Sequence, residues 1–111
     1  MKIETTEAYT LITPEEKSIL EFKNTFNLKF DSSKNEHILI NISENFNTNS
    51  QEIELFLDIA NTYRENGTSF VLIVKGIEID TIPEEINAVP TLSEAIDILE
   101  MDAIERELMN F

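Results

Sequence analysis

A chain of 111 residues is one domain, long enough to bury about two-thirds of its unfolded surface without metal or disulfide staples. It has no cysteine, which excludes disulfide frameworks, thiolate zinc sites and cysteine nucleophiles and fits a reducing compartment. Eight Lys+Arg against 22 Asp+Glu leave a formal charge of −14, a surface that repels phosphate backbones and anionic lipid heads, while 41% apolar content is too high for a disordered acidic tail.

Residues 2–5 and 8–12 alternate apolar with polar positions on either side of Thr6-Glu7, which predicts an N-terminal β-hairpin. Thr13-Pro14-Glu15-Glu16 is a capping-box pattern with proline at the first helical position, so a helix is expected to begin there. Behind it Ile19, Phe22 or Lys23, Phe26 and Phe30 share one helical face, and Asp31-Ser32-Ser33-Lys34-Asn35 breaks the pattern.

His37-Ile38-Leu39-Ile40-Asn41-Ile42 is a short β-branched run, expected to be a strand buried on both faces. Asn49-Ser50-Gln51-Glu52 is a second capping box, followed by an inward stripe of Ile53, Phe56, Leu57, Ala60 and Tyr63 and a C-capping Gly67. Residues 69–75 are expected to form a second buried strand. Gly76-Ile77-Glu78-Ile79-Asp80 either extends that strand or turns away from it, Thr81-Ile82-Pro83-Glu84-Glu85-Ile86 resembles a short helix start, and Asn87-Ala88-Val89 is expected at a sheet edge. Thr91-Leu92-Ser93-Glu94 opens the last helix, with Leu92, Ala95, Ile96 and Leu99 on one face. Strands alternating with helices imply an α/β domain with a mostly parallel or mixed sheet. Residues 1–7 hold no apolar leader, and the longest apolar run is Phe70-Val71-Leu72-Ile73-Val74, so the expectation is cytoplasmic with no membrane span.

The chemistry is sparse. His37 is the sole histidine, with Glu36 its only adjacent acid, so neither a three-ligand zinc site nor a Ser-His-Asp triad assembles conventionally. It reads as a strand-end residue near the surface. An activity centred on it would need a concave pocket holding His37 with at least two carboxylates. Two glycines in the whole chain cannot build a phosphate-cradling loop, and Asp80, Glu84 and Glu85 lack the spacing of a calcium loop. No enzyme, metal or cofactor is expected. Ten acids fall between Glu78 and Glu107, where Arg106 is the only base, concentrating negative charge at the C-terminal end.

The order of hairpin, capped helix, buried strand ending Asn41-Ile42-Ser43, loop, Asn49-Ser50 helix start, Gly67, second buried strand and Val89-Pro90-Thr91-Leu92-Ser93-Glu94-Ala95-Ile96 helix resembles the STAS domain, the fold of the bacterial anti-sigma-factor antagonists. That resemblance covers nearly the whole chain. It implies a four- or five-stranded mixed sheet with three to four helices mainly on one face. In that family the helix after the central strand opens with Asp-Ser-Ser-Gly, whose first serine the partner kinase phosphorylates. Here Asn49 takes the Asp place, Ser50 the phospho-serine place, Gln51 that of the second serine and Glu52 that of the glycine. Only Ser50 is retained. Glu52 adds bulk where glycine admits a partner backbone, and Glu52 and Glu54 would repel a phosphate on Ser50. The bland reading of Ser50 is an ordinary first-turn residue beside the Asn49 cap.

The chain is similar, closer still, to short acidic STAS-like proteins, some of which carry a ribonuclease Z label. The sequence speaks against that activity, because ribonuclease Z needs a His-x-His-x-Asp-His cluster and this chain has one histidine. The resemblance therefore implies a non-enzymatic protein-interaction module with a degenerate phospho-switch. Its partner face is expected at Asn49, Ser50, Gln51 and Glu52 and the preceding loop 44–48, and its partner is expected to be a protein with a basic surface. A second face is expected at Ile98, Met101, Ile104 or Glu105, and Leu108 if those side chains are exposed. Monomer and weak homodimer both remain open, and direct nucleic-acid binding is not expected. The alternative is an acidic nucleic-acid mimic, or an accessory partner of a ribonuclease, which requires carboxylates spaced like phosphates along one face.

Overall fold

The computed structural model describes residues 1–31, 36–44 and 48–109. The expected break at Ser32-Ser33-Lys34-Asn35 and most of the 44–48 loop lie outside them. Five strands, β1 (Lys2–Thr5), β2 (Thr10–Thr13), β3 (Ile38–Asn41), β4 (Phe70–Ile73) and β5 (Asn87–Val89), form one sheet in sequence order. β1 runs antiparallel to β2, and β2 to β5 are parallel, so the sheet is mixed. The helices are α1 (Ile19–Lys29), α2 (Ser50–Glu54), α3 (Leu57–Glu65) and α4 (Leu92–Met109).

Alternation along the strands divides the core into two layers. Ile12, Ile38, Ile40, Phe70, Leu72 and Ala88 face α1, α2 and α3. Leu39, Val71 and Ile73 face the opposite way, onto Ala95 and Leu99 of α4. Parallel strands covered on both faces must be apolar at every position, which is why β3 and β4 read as continuous runs. Phe26 centres the larger layer, stacked on Phe30 at 4.9 Å and meeting Phe22, Tyr63 and Phe70 within 6.5 Å. Such pairs add about 0.5–1.5 kcal/mol each beyond the area they bury.

The caps decide where helices start, and one of them falls later than expected. Thr13 remains in the sheet, paired with Lys2, and Glu16 accepts a hydrogen bond from the Met1 ammonium (3.1 Å) instead of reaching back to Thr13. Helix α1 begins five residues on, where Ser18 Oγ accepts from the Glu21 N–H (3.1 Å). The other two boxes act where they were read. Asn49 Oδ1 accepts from the Glu52 N–H (2.9 Å) and Thr91 Oγ1 from the Glu94 N–H (3.1 Å).

The helix expected to run unbroken from Ser50 to Gly67 is two helices. At Leu55 and Phe56 the backbone N–H groups bond back three residues, to Glu52 and Ile53, tightening the turn. That turn buries Ile53 and Phe56 together and brings Ile59 into the core, while Leu57 is left half-buried. Gly67 then ends α3 at φ +74°, with Thr68 N–H bonded to Tyr63 O and Gly67 N–H to Arg64 O, a Schellman cap.

After β4 the chain turns away at Gly76 (φ +77°). The expected helix at Thr81–Ile86 is absent: a single helical turn at Ile79–Thr81 and a tight turn closed by Ile86 N–H to Pro83 O take its place. Ile82 and Ile86 both reach the core from this irregular segment, and Ile86 leads directly into β5. Leu92, expected on the inward face of α4, is exposed, because the stripe that meets the sheet runs through Ala95 and Leu99.

Candidate functional site

Three regions hold the residues singled out above. The first is the start of α2, carried on the chain that leaves the C-terminal end of β3. Asn49 and Gln51 are exposed, while Ser50 and Glu52 are half-buried. Asn49 is committed to capping. Glu52 Oε1 accepts from Thr48 Oγ1 (3.4 Å), so its carboxylate lies over the turn that precedes the helix. No hydrogen bond among the described residues engages Ser50 Oγ. Asn49, Ser50, Gln51 and Glu52 share one capped helical turn, in which the Glu52 carboxylate is turned to Thr48.

The second region is the outer side of α4. Met101, Ile104 and Leu108 are 57%, 57% and 61% exposed. Ile98 does not join them: it is half-buried against the α4 layer of the core. Glu105, offered with Ile104 as alternatives at one position, is also exposed.

The third region lies at the N-terminal ends of β3 and β4, and sequence reasoning did not assemble it. His37 Nδ1 accepts a hydrogen bond from the Ser69 N–H (3.0 Å), Ser69 Oγ donates to Asp102 Oδ2 (2.7 Å), and Arg106 donates to the same hydroxyl (3.4 Å). Because Nδ1 is an acceptor, the neutral ring carries its proton on Nε2. Burial and the neighbouring Arg106 hold His37 below the usual imidazole range, against the opposing pull of Asp102. A signal did exist in the sequence. Asp102 and Arg106 continue the inward stripe of Ala95 and Leu99 at helical spacing, and polar groups on a buried stripe require partners.

His, Ser and Asp are therefore adjacent without forming a nucleophilic triad. The serine proton goes to the aspartate, and the imidazole is spent on a backbone N–H, so nothing activates Ser69 Oγ. A groove of about 380 Å³ between the β1–β2 turn and α4 is lined by His37, Glu7, Glu100 and Arg106 over an apolar floor of Tyr9 and Leu99. It meets the expected requirement of a concavity with two acids. No hydrogen bond among the described residues joins either acid to the ring, so neither orients it for proton transfer. Tyr63 is not an acid–base candidate either, since burial and the nearby Glu36 and Asp31 push its hydroxyl up to about 12. Among the described residues no group of three or more His, Asp or Glu side chains is placed to hold a metal ion, and no helix is long and apolar enough to cross a membrane.

No family model and no curated protein matches the chain. Three chains of solved structures do. One belongs to the stressosome, described as a signal integration and transduction hub, and aligns with a TM-score of 0.55 at 19% identity over 92% of this chain and 98% of that one. The fold is STAS-like. The alignment runs over nearly the whole of both chains. The likeness lends nothing to a ribonuclease Z label.

Proposed function

We propose that this chain is a non-enzymatic, STAS-type protein-interaction module in which the α2 start is the partner face and the phospho-switch is degenerate. One observation carries the reading. The helix that follows the central strand of a STAS-like sheet exposes Asn49 and Gln51 on a capped turn, with Ser50 half-buried between them and its Oγ unengaged among the described residues. A capped turn on a packed sheet costs little entropy to present, which suits recognition. Glu52 and Glu54 make this turn a poor place for a phosphate, because they add negative charge within four residues of Ser50. The partner reads a fixed, acidic helix start, and a basic surface complements it.

Exposed acids occur on every layer, from Glu4 on β1 and Glu21 on α1 to Glu65 on α3 and Glu94 on α4. That scatter speaks against the nucleic-acid-mimic alternative, which needs one continuous acidic track.

The test is a quantitative affinity capture from native lysate with the wild type and a Ser50→Asp, Glu52→Lys double variant in parallel. Both positions lie on the surface turn, so the variant is expected to keep the wild-type circular dichroism. Selective loss of one captured protein from the folded variant is the expected result. An unchanged set of captured proteins would remove the α2 start from consideration.

A further inference from the structure

Helix α4 is inward-facing along Ala95 and Leu99, and the side of the cylinder opposite to these carries Met101, Ile104 and Leu108 at i, i+3 and i+7. Each is more than half exposed, and none belongs to either layer of the core. Asp97, Glu100, Glu105 and Glu107, all exposed, surround this stripe, and no ion pair among the described residues involves any of them. Arg106, the one base of the helix, is turned inward to Ser69. The outward face of α4 is therefore an apolar strip flanked by carboxylates that form no ion pair among the described residues.

We infer that this face docks a basic amphipathic helix of a partner protein. Its chemistry rules out the competing occupants in turn. A second copy laid on the same strip would press four carboxylates against four, in a chain that already carries −14. Anionic lipid and nucleic acid are repelled by the same ring. An added strand finds no unpaired backbone on a helix, so recognition must run through side chains. A helix with apolar residues at i, i+3 or i+4 and i+7 packs its ridges between Met101, Ile104 and Leu108, and Lys or Arg on both flanks meets the acids. The site lies across the sheet from the α2 start and does not depend on the function proposed for it.

The experiment titrates the whole protein into a labelled helical peptide of about 16 residues, roughly four turns, with Leu at helical spacing and Lys on both flanks. A peptide of the same composition with scrambled spacing serves as the control. We expect the patterned peptide to bind about tenfold or more tightly than the scrambled one. Met101→Gln with Ile104→Gln should remove that advantage, and Glu100→Gln, Glu105→Gln and Glu107→Gln together should weaken binding and flatten its salt dependence. All five positions are exposed, so the variants should fold. Ser50→Asp with Glu52→Lys should leave the affinity unchanged, which separates this site from the α2 start. The inference is overturned if the scrambled peptide binds equally well, since charge alone would then explain the binding. It is overturned too if Met101→Gln with Ile104→Gln binds like the wild type, or if light scattering shows a wild-type dimer that those two substitutions dissolve.

Discussion

At the scale of single residues, the most consequential contact is the imidazole that closes the N-terminal ends of β3 and β4. His37 accepts from the Ser69 backbone N–H only while neutral, and Arg106 and Asp102 of α4 face the same cluster with opposite charges. Because burial and Arg106 depress the folded-state pKa below the unfolded value near 6.5, the unfolded chain binds more protons between the two values. Stability is then full above pH about 6.5 and falls as pH drops through that window. The chain has one histidine, so few other groups titrate there. His37→Asn keeps an acceptor near the Nδ1 position but cannot be protonated. We expect the wild type to lose thermal stability between pH 7.5 and 5.5 and His37→Asn to lose distinctly less, as read by circular-dichroism melts. Equal losses would show that His37 is not the titrating group. This clamp joins residues 32 to 37 positions apart in sequence, which is why no local pattern announced it.

At the scale of elements, the legible parts were those whose cause is local. Asn49 and Thr91 cap where they were read because each has its own helix immediately behind it. Ile38, Leu39 and Ile40 are wholly buried because a parallel strand between two helical layers has no solvent face. The errors have tertiary causes. Thr13 lost its helix to pairing with Lys2, the Ser50–Gly67 segment divides at Phe56 to serve the core, and Thr81–Ile86 folds as turns that run straight into β5. At the candidate sites the α2 start was legible as a turn, while Ile98 was separated from Met101 and Leu108 only by where the sheet lies. Gly67 offers a clean test of a local rule. A Cβ placed there meets nothing within 4 Å, so Gly67→Ala pays only for the left-handed backbone at φ +74°. The expected cost is about 1 kcal/mol, seen as a lower urea midpoint with an unchanged slope. A loss of several kcal/mol would mean that the cap carries more than backbone strain.

At the scale of the whole molecule, charge is unevenly distributed along the chain. Fifteen of the 22 acids but only three of the eight bases, Arg64, Lys75 and Arg106, follow residue 40. The helical layer containing α1 has Lys23 paired with Asp58 of α3 at 3.5 Å, whereas the α4 side presents its acids to solvent without such a partner among the described residues. Folding gathers these carboxylates closer than the unfolded chain does, so self-repulsion opposes the native state and supports one face for a cationic partner. Salt distinguishes this from a stability based on ion pairs. Raising ionic strength from about 0.01 M to 1 M shrinks the Debye length from roughly 30 Å to 3 Å, which screens both repulsion and exposed pairs. Exposed pairs contribute about 0–1 kcal/mol each and few exist among the described residues, so relief of repulsion dominates. The melting temperature is expected to rise with sodium chloride. Substituting Glu84→Gln, Glu85→Gln and Glu107→Gln, at three exposed positions, should raise it at low salt and shrink the salt-dependent gain. A melting temperature that falls with salt would instead assign the stability to attractive pairs such as Lys23–Asp58, and the acidic face of α4 would no longer count as frustrated in the isolated chain.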